Sequence, residues 1–125
     1  MIVIVESPFR GSSREQEAYN RLYLSLCLRD SILRGETPLA SHQMYTDCLD
    51  DSYDEERQLG ISLGYQLWEN ARGIVFYLDL GWSVGMRLAY HHALDWQVHA
   101  VKPRRFVEIR TLNGGPLCSK AVSDV

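Results

Sequence analysis

Two apolar runs constrain this chain more than any other feature. Residues 1–6 read MIVIVE and residues 73–78 read GIVFYL. MIVIVE is β-branched and does not alternate with polar residues, the pattern of a central strand buried on both faces. GIVFYL reads as a further strand. Helix-period segments lie between and after them. Strands that alternate with helices lead to a parallel sheet covered on both sides. The expected fold is a small doubly wound α/β domain, flavodoxin- or Rossmann-like, with four to five parallel strands flanked by helices.

The first strand is broken by SPFRGSS, with Pro8 and Gly11. Ser13 offers an N-cap, with Gln16 three residues later as its capping-box partner. Tyr19, Leu22, Tyr23 and Leu26 then repeat at helical spacing to about Arg34, and Gly35 is the stop. TPLASH is a candidate second strand. QMYTDCLDDSYDEE is acidic and turn-rich and reads as a loop with one helical turn. Asp54 is a candidate cap for a helix over Glu55–Ala71, in which Gly60 and Gly64 share one face and permit close packing against a neighbour. A helix over Val84–Leu94 follows GIVFYL. WQVHAV and RRFVEIRTL read as the last strands. The domain is expected to span residues 1–112, and residues 113–125, Gly-rich and polar, to form a flexible tail.

The chain has 125 residues, 46% hydrophobic, with a formal charge of −3. That length supports one domain with a real core. The mild charge gives no reason to expect nucleic-acid binding, which uses a basic surface. Three widely spaced cysteines without a C-x-x-C pair do not form a zinc site or a disulfide framework. The start has no basic n-region, and no stretch nears the ~20 apolar residues of a membrane span. A cytoplasmic protein without membrane association is expected.

In open α/β sheets, ligands sit at the carboxyl ends of the strands. Three segments converge there. After the first strand, Ser7, Pro8, Phe9, Arg10 and Gly11 place hydroxyls, backbone N–H groups and a guanidinium near a helix start, a combination that suits a phosphate or sugar. The loop lacks the Gly-Lys-Ser/Thr ending of a Walker A motif. After the second strand come His42 and Tyr45. After the third comes DLGWSVGMRLAY, in which Asp79 ends the strand, Gly81 and Gly85 permit close backbone approach, Ser83 caps the helix, and Met86 and Arg87 lie in its first turn. The acids Asp47–Glu56 do not match an EF-hand and read as a solvated loop. His91 and His92 lack the i, i+4 spacing of a helical metal pair and read as surface or packing residues. Neither a metal nor a cofactor is expected.

SPFRG, ASHQMYTDCLDD with DEERQLGI, and DLGWSVGMRLAYHHAL followed by WQV together resemble the nucleoside 2-deoxyribosyltransferase-like superfamily, and within it the small phage-type members that lack the catalytic Glu. The resemblance covers roughly residues 1–110, most of the chain. It implies a pocket for nucleosides or nucleotides, an N-glycosidic substrate bond, and homo-oligomers whose neighbouring chains complete each other's sites. It further implies that Asp79 holds the sugar. Superfamily members with known activity use a Glu two positions after the glycine as nucleophile. That position here is Arg87, and the alternative position two residues on is Ala89. An Arg disfavours a developing oxocarbenium ion and favours an anionic group.

Two expectations follow. The favoured one is a protein that binds a nucleotide or nucleoside, without the usual nucleophile, and sequesters it; for a phage-encoded chain in the host cytoplasm this would be an anti-defence role. The alternative is an N-glycosidase or deoxyribosyltransferase working through another carboxylate, with Asp79, Asp50, Glu6 and Glu56 as candidates. A third reading is an assembly protein with a vestigial pocket, its interface built on Tyr53, Tyr65 and Trp82.

Overall fold

The computed structural model of the chain describes residues 1–99 and 105–112. The elements run β1 (Ile2–Glu6), α1 (Arg14–Leu33), β2 (Thr37–Leu39), α2 (Ser41–Cys48), α3 (Asp54–Trp68), β3 (Gly73–Tyr77), α4 (Val84–Val98) and β4 (Phe106–Arg110). The strands form one sheet in the order β2-β1-β3-β4, with every pairing parallel. The chain is thus the small doubly wound α/β domain that the strand–helix alternation predicts. The expected tail lies outside the described residues.

Side-chain alternation explains how one sheet carries two cores. Val3 and Val5 of β1 and Val75 and Tyr77 of β3 join Tyr23, Leu24 and Cys27 of α1 in one buried cluster. Ile4, Ile74 and Phe76 point the other way and pack with Trp68 of α3 and with Met86, Ala89, Ala93 and Trp96 of α4. Successive residues of a strand face opposite sides, so a strand buried on both must be apolar throughout. All five residues of β3 are buried, as are four of the five in β1.

The fold differs from the sequence expectations in three places. QMYTDCLDDSYDEE is not a loop with one turn, since Ser41–Cys48 forms a complete helix. Its cavity-lining residues His42, Tyr45 and Thr46, with Leu49 at its C-cap, keep helical spacing, which the polar residues between them obscure. WQVHAV does not open as a strand. Trp96–Val98 continue α4, because Met86, Ala89, Ala93 and Trp96 recur at three- and four-residue intervals on its buried face. The last described strand is β4. Finally, α3 takes Tyr53 as its N-cap, without a side-chain cap bond, and Asp54 is its first residue.

Other local signals agree with the structure. Ser13 Oγ accepts from the Gln16 N–H at 3.1 Å. The Gln16 side chain does not close the capping box but donates to Asn20 Oδ1 at 3.0 Å. Gly60 lets α3 approach α2 closely, since a Cβ there would lie 3.3 Å from Leu49 Cδ1, whereas one on Gly64 would meet Ser41 Oγ at an ordinary 3.5 Å. Buried Arg110 on β4 forms a bidentate pair with Glu36, at 2.7 and 2.6 Å, which ties the end of β4 to the start of β2 across the α1 side. Hydrogen bonding by Arg110 holds the Glu36 carboxyl below its ordinary pKa.

Candidate functional site

Strand order reverses between β1 and β3, because the chain moves outward to β2 on one side and to β4 on the other. The loops leaving β1 and β3 therefore part in opposite directions and leave a crevice at their carboxyl ends. A cavity of about 420 Å³ lies there, within the usual range of small-molecule sites, ~300–1,000 Å³. Glu6, Ser7, Phe9 and Arg10 come from the end of β1 and its loop. Helix α2 adds Ser41, His42, Tyr45 and Thr46. Gly60, Gly64, Tyr65 and Trp68 form the α3 wall, and Ser83, Gly85, Met86 and Ala89 the α4 wall. Asp51 and Arg57 also line it.

Of the expected site residues, Ser7, Phe9, Arg10, His42, Tyr45, Ser83, Gly85 and Met86 come together around this cavity. Pro8, Gly11, Asp79, Gly81, Arg87 and Asp50 are not among its lining residues. Gly81 shapes the turn before α4 with φ +83°. Asp50 is exposed and organises its own loop, accepting from the Ser52 N–H at 2.9 Å and from its hydroxyl at 2.6 Å. These bonds lower its pKa. Glu56 accepts from the Asp50 N–H at 3.2 Å and also stays out of the lining.

Asp79 is engaged elsewhere. It follows Val75 and Tyr77 on the α1 side of β3, and its Oδ2 accepts from the Tyr23 hydroxyl at 2.5 Å. Both carboxylate oxygens accept from the Leu112 N–H at 3.0 Å. This carboxylate fastens the segments that leave β3 and β4 to each other and to the middle of α1. Arg87 is exposed, while Met86, one residue earlier, is 1% exposed and faces the cavity. Ser83 caps this helix, its Oγ accepting from the Met86 N–H at 3.1 Å. Of the two helix positions where the superfamily resemblance implies a nucleophile, only Ala89 lines the cavity.

The lining is electrostatically uneven. Arg10 is exposed and pairs with Asp51 at 3.6 Å. Arg57 is exposed as well, so both guanidiniums sit at the solvent side. The inner side is apolar and aromatic. Phe9 packs edge-on to His42 with ring centroids 5.3 Å apart, and Tyr65 packs edge-on to Trp68 at 4.9 Å. Tyr65 also stacks on His92 at 3.8 Å, the packing role expected for that histidine. Trp82 packs on Phe76 and Tyr90, and Tyr53 is exposed.

Polar groups lie within this apolar interior without protein partners. Glu6 is 9% exposed and has no hydrogen bond or ion pair among the described residues. Burial pushes its pKa up to about 8, so it is neutral at pH 7. Burial also pushes His42 down to about 4, and that ring too is neutral. Ser7 Oγ and both ring nitrogens of His42 are buried and unpartnered among the described residues. Buried polar atoms are nearly always hydrogen-bonded, and perturbed groups in a cleft are the usual mark of a binding or catalytic site.

Glu6 entered the sequence analysis only as one of four substitute carboxylates. The period of two in β1 supplies the missing signal. Glu6 continues the Ile2–Ile4 face, the face that packs on α3 and α4. Asp51 and Arg57 carry no such signal, because the turn after α2 places Asp51 and the first turn of α3 places Arg57.

Among the described residues no group of three or more His, Cys, Asp and Glu could hold a metal ion. No described helix is long and apolar enough to cross a membrane. No curated protein and no solved structure matches the chain significantly. One family model does match, over residues 1–102, and it spans the sheet from β1 through α4 with every wall of the cavity. The chain belongs to the family described as Domain of unknown function (DUF7768).

Proposed function

We propose that the cavity binds a nucleoside or nucleotide. The observation that carries this reading is the polarity of the lining. An aromatic interior with unpartnered hydrogen-bonding groups opens toward two arginines, all at the reversal point of a parallel sheet. A planar heterocycle suits the Tyr45, Tyr65 and Trp68 wall, and a phosphate suits Arg10 and Arg57. The phosphate competes with Asp51 for Arg10, which makes that 3.6 Å pair a switchable contact.

The resemblance to the nucleoside 2-deoxyribosyltransferase-like superfamily supports the same ligand class. The lack of a carboxylate at Ala89 favours binding over turnover. Binding without turnover makes sequestration the role, and an anti-defence role in host cytoplasm belongs to this proposal for a phage-encoded chain. A homo-oligomer belongs to it too; Val84, Leu88 and Val98 leave α4 with exposed apolar residues through which copies can pair.

The second reading is an N-glycosidase or deoxyribosyltransferase. Two carboxyl groups, Glu6 and Asp51, line the same cavity. A neutral Glu6 has the protonation state of a general acid for a departing base. Incubation with deoxynucleosides and their 5′-monophosphates decides between the readings. Binding alone gives a raised melting temperature and no free base by chromatography. At 100-fold excess over Kd the ligand adds about 2.7 kcal/mol. Free base that disappears in Glu6→Gln or Asp51→Asn establishes the enzyme. Neither base release nor a thermal shift with any compound refutes both.

A further inference from the structure

The binding proposal leaves open what reads the heterocycle. Glu6 is the only residue in the described chain that brings a carboxyl group to the cavity from the sheet itself. It extends the face of β1 that carries Ile4, the face that packs on Trp68 and Met86, and its backbone is paired with Phe76 of β3. It has no protein partner among the described residues, and Ser7 Oγ and the His42 ring nitrogens beside it are unpartnered as well. A group so placed has its hydrogen-bonding capacity open to whatever occupies the cavity.

We propose that Glu6 is the specificity residue of this site, acting as a carboxylic acid that pairs with the amidine edge of an adenine- or cytosine-type base. This rests on the reading of the cavity as a nucleoside or nucleotide site. A carboxylic acid presents an O–H donor beside a C=O acceptor, the same pair that an Asn or Gln amide uses on adenine. Adenine and cytosine present a ring-nitrogen acceptor beside an exocyclic amine donor. The two edges close a cyclic pair of hydrogen bonds. A ring nitrogen is a stronger base than the carbonyl of a guanine- or thymine-type edge, and it accepts the acid's proton better. Ionisation of Glu6 removes the donor and sets a carboxylate against the ring nitrogen's lone pair. The ionised form instead suits guanine, whose N1–H and N2–H₂ are both donors.

The other titratable or charged groups lining the cavity are Arg10, His42, Tyr45, Asp51, Arg57 and Tyr65. Between pH 7 and 9 His42 stays neutral, and burial followed by the nearby Glu6 pushes Tyr65 upward, away from this window. The phosphate of a nucleoside monophosphate, with its second pKa near 6, stays doubly charged there. Glu6 therefore dominates the pH dependence in that interval.

The test is calorimetric titration of AMP, CMP and GMP into the wild-type chain, Glu6→Gln and Glu6→Ala, at pH 7 and pH 9, with folding of each variant checked by circular dichroism. The wild type should bind AMP or CMP about tenfold more weakly at pH 9 than at pH 7, following the neutral fraction of a group with a pKa of about 8. GMP should not weaken. Glu6→Gln keeps the donor–acceptor pair without the titration, so it should bind equally at both pH values, near the wild-type pH 7 affinity. Glu6→Ala should lose at least tenfold at pH 7. Nucleotide binding that is the same in Glu6→Ala and insensitive to pH overturns the role of Glu6 and leaves the site reading standing. A wild-type preference for GMP at pH 7 does the same. Absence of binding by all three nucleotides at both pH values overturns the site reading along with it.

Discussion

The Tyr23 hydroxyl donates to Asp79 Oδ2 at 2.5 Å and accepts from the Asp79 backbone N–H at 3.0 Å, so one phenol holds both the side chain and the backbone of a residue just past β3. Burial first, then the charges around it, push the phenol's pKa upward and keep it a donor. Tyr23→Phe should destabilise the fold by about 2 kcal/mol, the scale of a hydrogen bond to a charged group. Urea unfolding reads this. Ligand-induced thermal shifts should persist in the variant, since neither Tyr23 nor Asp79 lines the cavity. Loss of ligand binding without loss of stability would return Asp79 to the sugar-holding role.

Glu6 and His42 give stability two opposing dependences on pH. Glu6 has a folded pKa of about 8, raised from 4.5, so its contribution is complete below 4.5 and is lost as pH rises through 8. At 1.36 kcal/mol per unit the full loss approaches about 5 kcal/mol. His42 has a folded pKa of about 4, lowered from 6.5, so its contribution is complete above 6.5 and is lost as pH falls through 4. Between pH 4.5 and 6.5 the slopes cancel, and from 6.5 to 8 stability declines. Chemical denaturation across pH should show that decline in the wild type. Glu6→Gln should abolish it and expose the acid-side loss due to His42. An identical profile in Glu6→Gln would contradict a neutral buried Glu6.

Arg110 is 5% exposed and grips Glu36 with two nitrogens. Removing one member of a buried pair strands the other, at about 3–5 kcal/mol. Arg110→Met should lose that much in equilibrium unfolding, and Arg110→Met combined with Glu36→Gln should recover part of it. If the double variant is no better than the single one, Glu36 is not the group left unsatisfied.

Gly64 is a helical glycine with room for a methyl group, its nearest neighbour being Ser41 Oγ at 3.5 Å from an added Cβ. Gly64→Ala should therefore gain about 0.5–1 kcal/mol from helix propensity. Gly60→Ala should gain less, because its Cβ meets Leu49 Cδ1 at 3.3 Å. Gly64→Leu would push a side chain into the cavity and should suppress ligand-induced thermal shifts while the chain remains folded.

The fold was legible because its signals are local. MIVIVE and GIVFYL mark the two inner strands, and capping serines mark the starts of α1 and α4. α2 was missed because its periodic face is formed by His, Tyr, Thr and Leu among acidic residues, which read as turn composition. The end of α4 was missed because Trp96–Val98 is as good a strand as a helix when viewed over three residues. The site was legible as a place more than as a set of residues. Chain position put Asp79 at the switch point, but strand parity turned it toward α1 and turned Glu6 into the crevice. The same parity argument was open to the sequence. The arrival of Asp51 and Arg57 was not, because it depends on how α2, the turn after it and α3 pack together.

The cavity's walls are unequally secured. α2 is eight residues long, starts at Ala40 without a side-chain cap, and buries Ser41 alone. The neighbouring strand β1 is hydrogen-bonded on both sides and buried over four of its five residues. Amides of β1 should therefore exchange with solvent through global unfolding, and those of α2 through local opening. A small molecule seated against Glu6 therefore rests on a rigid floor beside a wall that yields more readily, and its binding should steady that wall. Hydrogen exchange should register its arrival most clearly at Ser41–Cys48, as amides that were quick become slow.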